Sequence, residues 1–172
     1  MQKKRQNQIK GYTLIEILVG LTIIGVLFSL GYATFRDFSR REALSGTSKK
    51  IQGDLRLVQS MALSGQKPQF DNSGFPTSLC APPKLLDGYS FQVYSTTEYK
   101  IEAKCGASTV TVKDVVFPSS ILISSPSPNP IIFKVLGSGT NIPAGQETVI
   151  NITQAGTNNV ATITITAGGE IK

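Results

Sequence analysis

Residues 11–35 read GYTLIEILVGLTIIGVLFSLGYATF, and the reading of this stretch decides the fold. From Ile17 to Phe35 there are nineteen residues and no charge. A helix of that length rises about 28 Å, close to the hydrocarbon thickness of a bilayer. A basic leader precedes it, with Lys3, Lys4, Arg5 and Lys10 and no acid. One carboxylate, Glu16, stands at the edge of the apolar run.

Downstream, no proline occurs before Pro68, and apolar residues continue at Leu44, Ile51, Leu55, Val58 and Ala62. These spacings of three, four and seven form a helical stripe. The pattern predicts one helix from about Thr13 to Leu63. Its first half is apolar on every side. Its second half is amphipathic, with Arg40, Arg41, Lys49, Lys50, Asp54 and Arg56 largely on the other faces. Gly20, Gly25, Gly31, Gly46 and Gly53 interrupt it, each at a cost of about 1 kcal/mol relative to Ala. In a membrane, small residues of this kind permit close helix–helix approach.

Residues 64–88 are rich in Gly, Pro, Ser and Asn and read as a long connecting loop. From Tyr89 the period changes to two. Tyr99, Ile101, Ala103 and Cys105 share one face of a strand, and Lys100, Glu102 and Lys104 share the other. Strands are expected at 89–94, 99–105, 109–117, 121–124, 131–136, 147–154 and 159–166, separated by turn-rich segments such as SPSPNP at 125–130. The expected fold class is α+β. A long N-terminal helix, membrane-spanning in its first half, packs on one antiparallel sheet whose Ser/Thr-rich outer face meets water. The expected organisation is a leader at 1–11, a transmembrane or assembly helix at 12–35, its amphipathic extension at 36–63, the loop at 64–88 and a β-rich domain at 89–172.

Composition argues against catalysis. The chain has no His, so Ser–His and Cys–His pairs are excluded. Cys80 and Cys105 are too far apart in sequence for a zinc pattern, and there is no Gly-rich phosphate loop. No enzyme activity, cofactor or metal is expected. The formal charge of +6 falls to +2 without the four leader cations, so the basic balance mostly belongs to the leader. Cys80 and Cys105 form an even pair beyond the apolar segment. They fit a disulfide if the domain is exported, and two buried free thiols otherwise.

The apolar segment is longer than the core of a secretory signal peptide, and no A-x-A site follows it. Charge leaves the orientation of a simple anchor open, because Arg36, Arg40 and Arg41 follow the helix as closely as the leader cations precede it. The motif GYTLIE at 11–16 resembles the processing site of type IV pilins and type II secretion pseudopilins. The resemblance covers the leader, the site and the whole apolar helix. It implies cleavage by a prepilin peptidase after Gly11, N-methylation of Tyr12, where Phe is usual, and an assembly role for Glu16. It also implies an inner-membrane precursor with a cytoplasmic N-terminus and an exported C-terminal domain. The precursor would later join a pilus or pseudopilus fibre. The implied partners are copies of itself or sister pilins, the peptidase and an inner-membrane assembly platform. The segments DLRLVQSMALSG at 54–65 and TITITAGGEIK at 162–172 are also similar to pseudopilin-H and FimT-like minor pilins.

Two other roles follow from the same resemblance: a pseudopilin of a type II secretion system, and a DNA-binding minor pilin of a competence system. Arg36, Arg40, Arg41, Lys49 and Lys50 would be the cations for DNA or for anionic lipid. Against DNA stand the interspersed Asp37, Glu42 and Asp54 and the absence of interleaved aromatics.

Overall fold

The computed structural model describes residues 11–172, without the side chains at positions 30, 31, 33 and 34. Apart from Gly11, the expected leader lies outside the described residues. The chain divides into two units, residues 1–40 and 41–172. Helix α1, Leu14–Ser64, contributes to both.

In the first unit the described helix is a run of exposed apolar side chains, Leu14, Ile17, Leu21, Phe28 and Phe35 among them. Among the described residues, no helix is long and apolar enough to cross a membrane. The uncharged run of described side chains extends only from Ile17 to Ser29, short of the about 20 residues a span requires. The expected span at 12–35 therefore includes positions outside the described side chains.

In the second unit, α1 buries Leu44, Ile51, Leu55, Val58 and Ala62, the stripe expected from their spacing. Seven antiparallel strands meet it: β1 Gly88–Ser95, β2 Glu98–Cys105, β3 Ser108–Val116, β4 Ile121–Ile123, β5 Ile131–Lys134, β6 Glu147–Gln154 and β7 Val160–Thr166. They form two sheets rather than the single one expected, ordered β3-β2-β1-β5 and β4-β6-β7. β1 pairs with the distant β5, and β4 with β6, across long connections that carry no local signal. The strand expected at 131–136 ends at Lys134, because Leu136 turns to φ 54° within a short 3-10 turn, Val135–Gly137.

Alternation is clearest on β2, where Tyr99, Ile101, Ala103 and Cys105 are buried and Lys100, Glu102 and Lys104 are half-buried. Both sheets send side chains into one core, with Phe91, Tyr99 and Ile131 from the larger sheet and Ile150, Ile152, Ile163 and Ile165 from the smaller. Fully burying each such side chain contributes about 1.5–3 kcal/mol. Asparagine amides complete the ladders where strands stop. Asn129 Oδ1 accepts the Val93 N–H at 3.0 Å, and its Nδ2 donates to the Val93 carbonyl at 2.8 Å.

Asp54 departs from the sequence reading. It was expected on a solvated face but is only 7% exposed. It stands three residues after Ile51 and four before Val58, on the core-facing stripe itself. Lys113 Nζ on β3 pairs with Asp54 Oδ1 at 2.6 Å, and the Tyr99 hydroxyl on β2 donates to Asp54 Oδ2 at 2.5 Å. Burial, then the hydrogen bond and charge of Asp54, push the Tyr99 phenol well above its ordinary value of 10.0. Burial also raises Tyr89, whose hydroxyl donates to the Gln66 carbonyl.

These raised values set the sign of an alkaline effect. Below about pH 10 the tyrosines are protonated in folded and unfolded chains alike, and their stabilising contribution is complete. Above it the unfolded chain releases those protons while the fold retains them. Stability then falls by up to about 1.4 kcal/mol per pH unit per tyrosine. Urea unfolding of the full chain in detergent should show this decline, and Tyr99→Phe should flatten it. Equal slopes for wild type and variant would contradict the account.

Candidate functional site

The described chain begins at the sequence motif. Gly11 and Tyr12 are exposed, Tyr12 at 82%. A Cβ placed on Gly11 would meet no described atom within 4 Å.

Thr13 caps α1. Its backbone N–H and its hydroxyl both donate to Glu16 Oε2 at 3.1 Å, and its Oγ1 accepts the Glu16 N–H at 3.4 Å. This reciprocal arrangement is a capping box, in which threonine and glutamate satisfy backbone donors that the first turn leaves free. The carboxylate also sits at the positive end of the helix dipole. Glu16 is thus both partnered and exposed. The T-x-x-E spacing is the sequence signal for the cap, and it went unread beside the processing motif.

Gly20 and Gly25 likewise have no packing partner among the described residues. Space is open around the Cβ position of Gly20 and of Gly25. The adjoining side chains Leu18, Leu21, Ile24 and Phe28 are about half to three-quarters exposed. A continuous apolar helix surface of this kind marks contact with a membrane or with other protein.

The sequence of this stretch and of the chain beyond it is similar to known proteins. The family model described as "Prokaryotic N-terminal methylation motif" matches residues 6–32. The chain is similar to type IV pilins. It is 25% identical over 104 residues to the type IV major pilin protein PilE1 of Neisseria gonorrhoeae, covering 60% of this chain. The chain thereby spans 57% of that protein's length. No solved structure matches.

The remaining site residues of this pilin-like chain fall in different places. The guanidinium of Arg36 lies 5.9 Å from the centre of the Tyr32 ring. Arg40 is half-buried. Arg41 and Lys49 line one open groove in the second unit, which does not include Lys50. Cys80 and Cys105 form a disulfide with Cα atoms 5.3 Å apart, and both residues are buried. The bond ties the loop before β1 to the last residue of β2. Asp54, Tyr99 and Lys113 form the polar cluster that the sequence reading missed. Its one available signal was the place of Asp54 within an apolar stripe.

Proposed function

We propose that this chain is a structural subunit of a type IV pilus or a related pseudopilus. A prepilin peptidase cuts it after Gly11, Tyr12 is then N-methylated, and the helix that follows serves first as a membrane anchor and then as the packing element of a fibre. The observation that carries this reading is the glycine at position 11. It falls within residues 6–32, which match the methylation-motif family, and it is followed by the exposed Tyr12 and by Glu16 at the helix start. The exposed helix glycines and apolar side chains support the second step, since they suit packing against other helices. The remaining partners are sister pilins and an inner-membrane platform. The domain beyond the helix lies on the exported side.

Cleavage turns the Tyr12 nitrogen into a charged amine, four residues before Glu16. Methylation keeps the charge. In a bundle of such helices, Glu16 of one subunit pairs with the amine of its neighbour and fixes axial register, in surroundings where charge pairing is stronger than in water. Because Glu16 also caps its own helix, two variants separate the two roles. Glu16→Gln keeps a capping-box acceptor but no charge, whereas Glu16→Ala loses both, at a capping cost of about 1 kcal/mol. Both variants are expected to be processed, and both to be poorly incorporated when scored by immunoblot of sheared fibres. Normal incorporation of Glu16→Gln would show that capping alone matters and would end the register role. A type II secretion pseudopilin would use the same chemistry at these residues. Imaging with a tag on this chain separates a long surface fibre from a short periplasmic one.

A further inference from the structure

The groove of about 640 Å³ beside the start of β7 is lined by Arg41, Ser48 and Lys49 from α1 and by Asn158, Asn159 and Ala161 from the β6–β7 hairpin. No acidic residue lines it. Among the described residues, neither Arg41 nor Lys49 has a carboxylate within 4.0 Å. The groove therefore sets two cations without an acidic neighbour among polar side chains and the apolar Leu44 and Val160.

A second, independent feature adjoins it. β7 is the edge of its sheet. Part of that edge is already occupied. The Thr164 N–H donates to the Lys172 carbonyl at 3.1 Å, the Lys172 N–H donates to the Thr164 carbonyl at 2.9 Å, and the Thr166 N–H donates to the Glu170 carbonyl at 3.0 Å. The even-numbered residues of β7 thus aim their peptide groups away from β6, as alternation along an antiparallel ladder requires. Val160 and Thr162 belong to the same series in the β6–β7 register. Their outward N–H and C=O groups have no backbone partner among the described residues. The edge is covered from Thr164 onward and open at Val160 and Thr162, beside the cationic groove.

We propose that this place binds an extended acidic peptide segment of a partner protein, which adds a short strand to the open edge of β7. The free edge offers donors and acceptors in alternation, which another backbone satisfies and a simple anion does not. In an added strand every second side chain faces the same way, so carboxylates at alternate positions can meet Arg41 and Lys49. The backbone supplies affinity, and the charges supply register and steering. The proposal lies entirely within residues 41–172 and is independent of processing at Gly11.

The test uses the full chain in detergent micelles and fluorescence anisotropy. The probe is a labelled peptide with Asp at alternate positions and Thr or Val between them. It is expected to bind at low salt and weaken as salt rises. Replacing its Asp residues by Asn, or using the Arg41→Gln, Lys49→Gln double variant, should weaken binding by about tenfold or more. N-methylation of alternate backbone amides of the peptide should weaken it comparably. So should Thr162→Pro, which removes an outward N–H and leaves the β6 ladder intact. Thermal melting confirms that each variant is folded. The proposal is overturned if the Asp peptide fails to bind at low salt, or if the N-methylated peptide binds as well as the parent. Displacement of the peptide by equimolar inorganic phosphate would also overturn it, since the site would then be a simple anion pocket.

Discussion

Asp54→Ala is expected to destabilise the second unit by about 3 kcal/mol. Removing one member of a buried ion pair costs about 3–5 kcal/mol when the other charge stays buried. The Lys113 side chain is 37% exposed and can turn toward water, which brings the cost to the lower end. The Tyr99 hydroxyl has no such escape, because Tyr99 is fully buried, and an unsatisfied buried donor costs about 1–3 kcal/mol. Lys113→Ala should cost less, about 1–2 kcal/mol, since Asp54 keeps its bond from Tyr99. Asp54→Asn, which preserves an acceptor for that bond, should fall between the two. Denaturant midpoints measured on the full chain in detergent check this order. An Asp54→Ala variant within 0.5 kcal/mol of wild type would contradict the role given to this cluster.

The second large effect concerns the Cys80–Cys105 bond. The cysteines are 25 residues apart in sequence. Closing a loop of that size removes about 3–4 kcal/mol of chain entropy from the unfolded state. The bond adds to several hydrogen bonds that tie the loop to the sheet. Among them, the Asp87 N–H donates to the Lys104 carbonyl at 2.8 Å, and Lys84 Nζ reaches Ser108 Oγ at 2.8 Å. Reduction should therefore lower the melting temperature of the wild type by about 10 °C or more. A Cys80→Ala, Cys105→Ala variant should melt near the reduced wild type and respond no further to reductant. A wild type that melts unchanged after complete reduction would rule out a stabilising role for the bond.

Much of this structure is legible in the sequence, for physical reasons that differ from element to element. The helix stripe from Leu44 to Ala62 and the alternation from Tyr99 to Cys105 are local periodicities, and burial follows them directly. The division into two sheets is not legible, because it depends on pairings between β1 and β5 and between β4 and β6 that no local pattern encodes. Asp54 was misplaced because a carboxylate reads as solvated until its partners are known. Lys113 and Tyr99 lie far along the chain, on different strands. At the N-terminus the motif itself was plain, but the hydrogen bonds from Thr13 to Glu16 give the glutamate a local duty that the motif alone does not reveal. The two cysteines left disulfide and free thiols both open in the sequence, and the fold decides between them by bringing their Cα atoms within bonding range.

The account rests on a methylation motif that spans Gly11 and Tyr12 and on a helix surface that no described residue covers. Mass spectrometry of the intact protein recovered from native fibres or membranes tests it most directly. The account predicts a polypeptide that begins at Tyr12 with one added methyl group, and a Gly11→Val variant that retains the leader. A native chain that still carries Lys3, Lys4, Arg5 and Lys10, or that begins at any other residue, would contradict it.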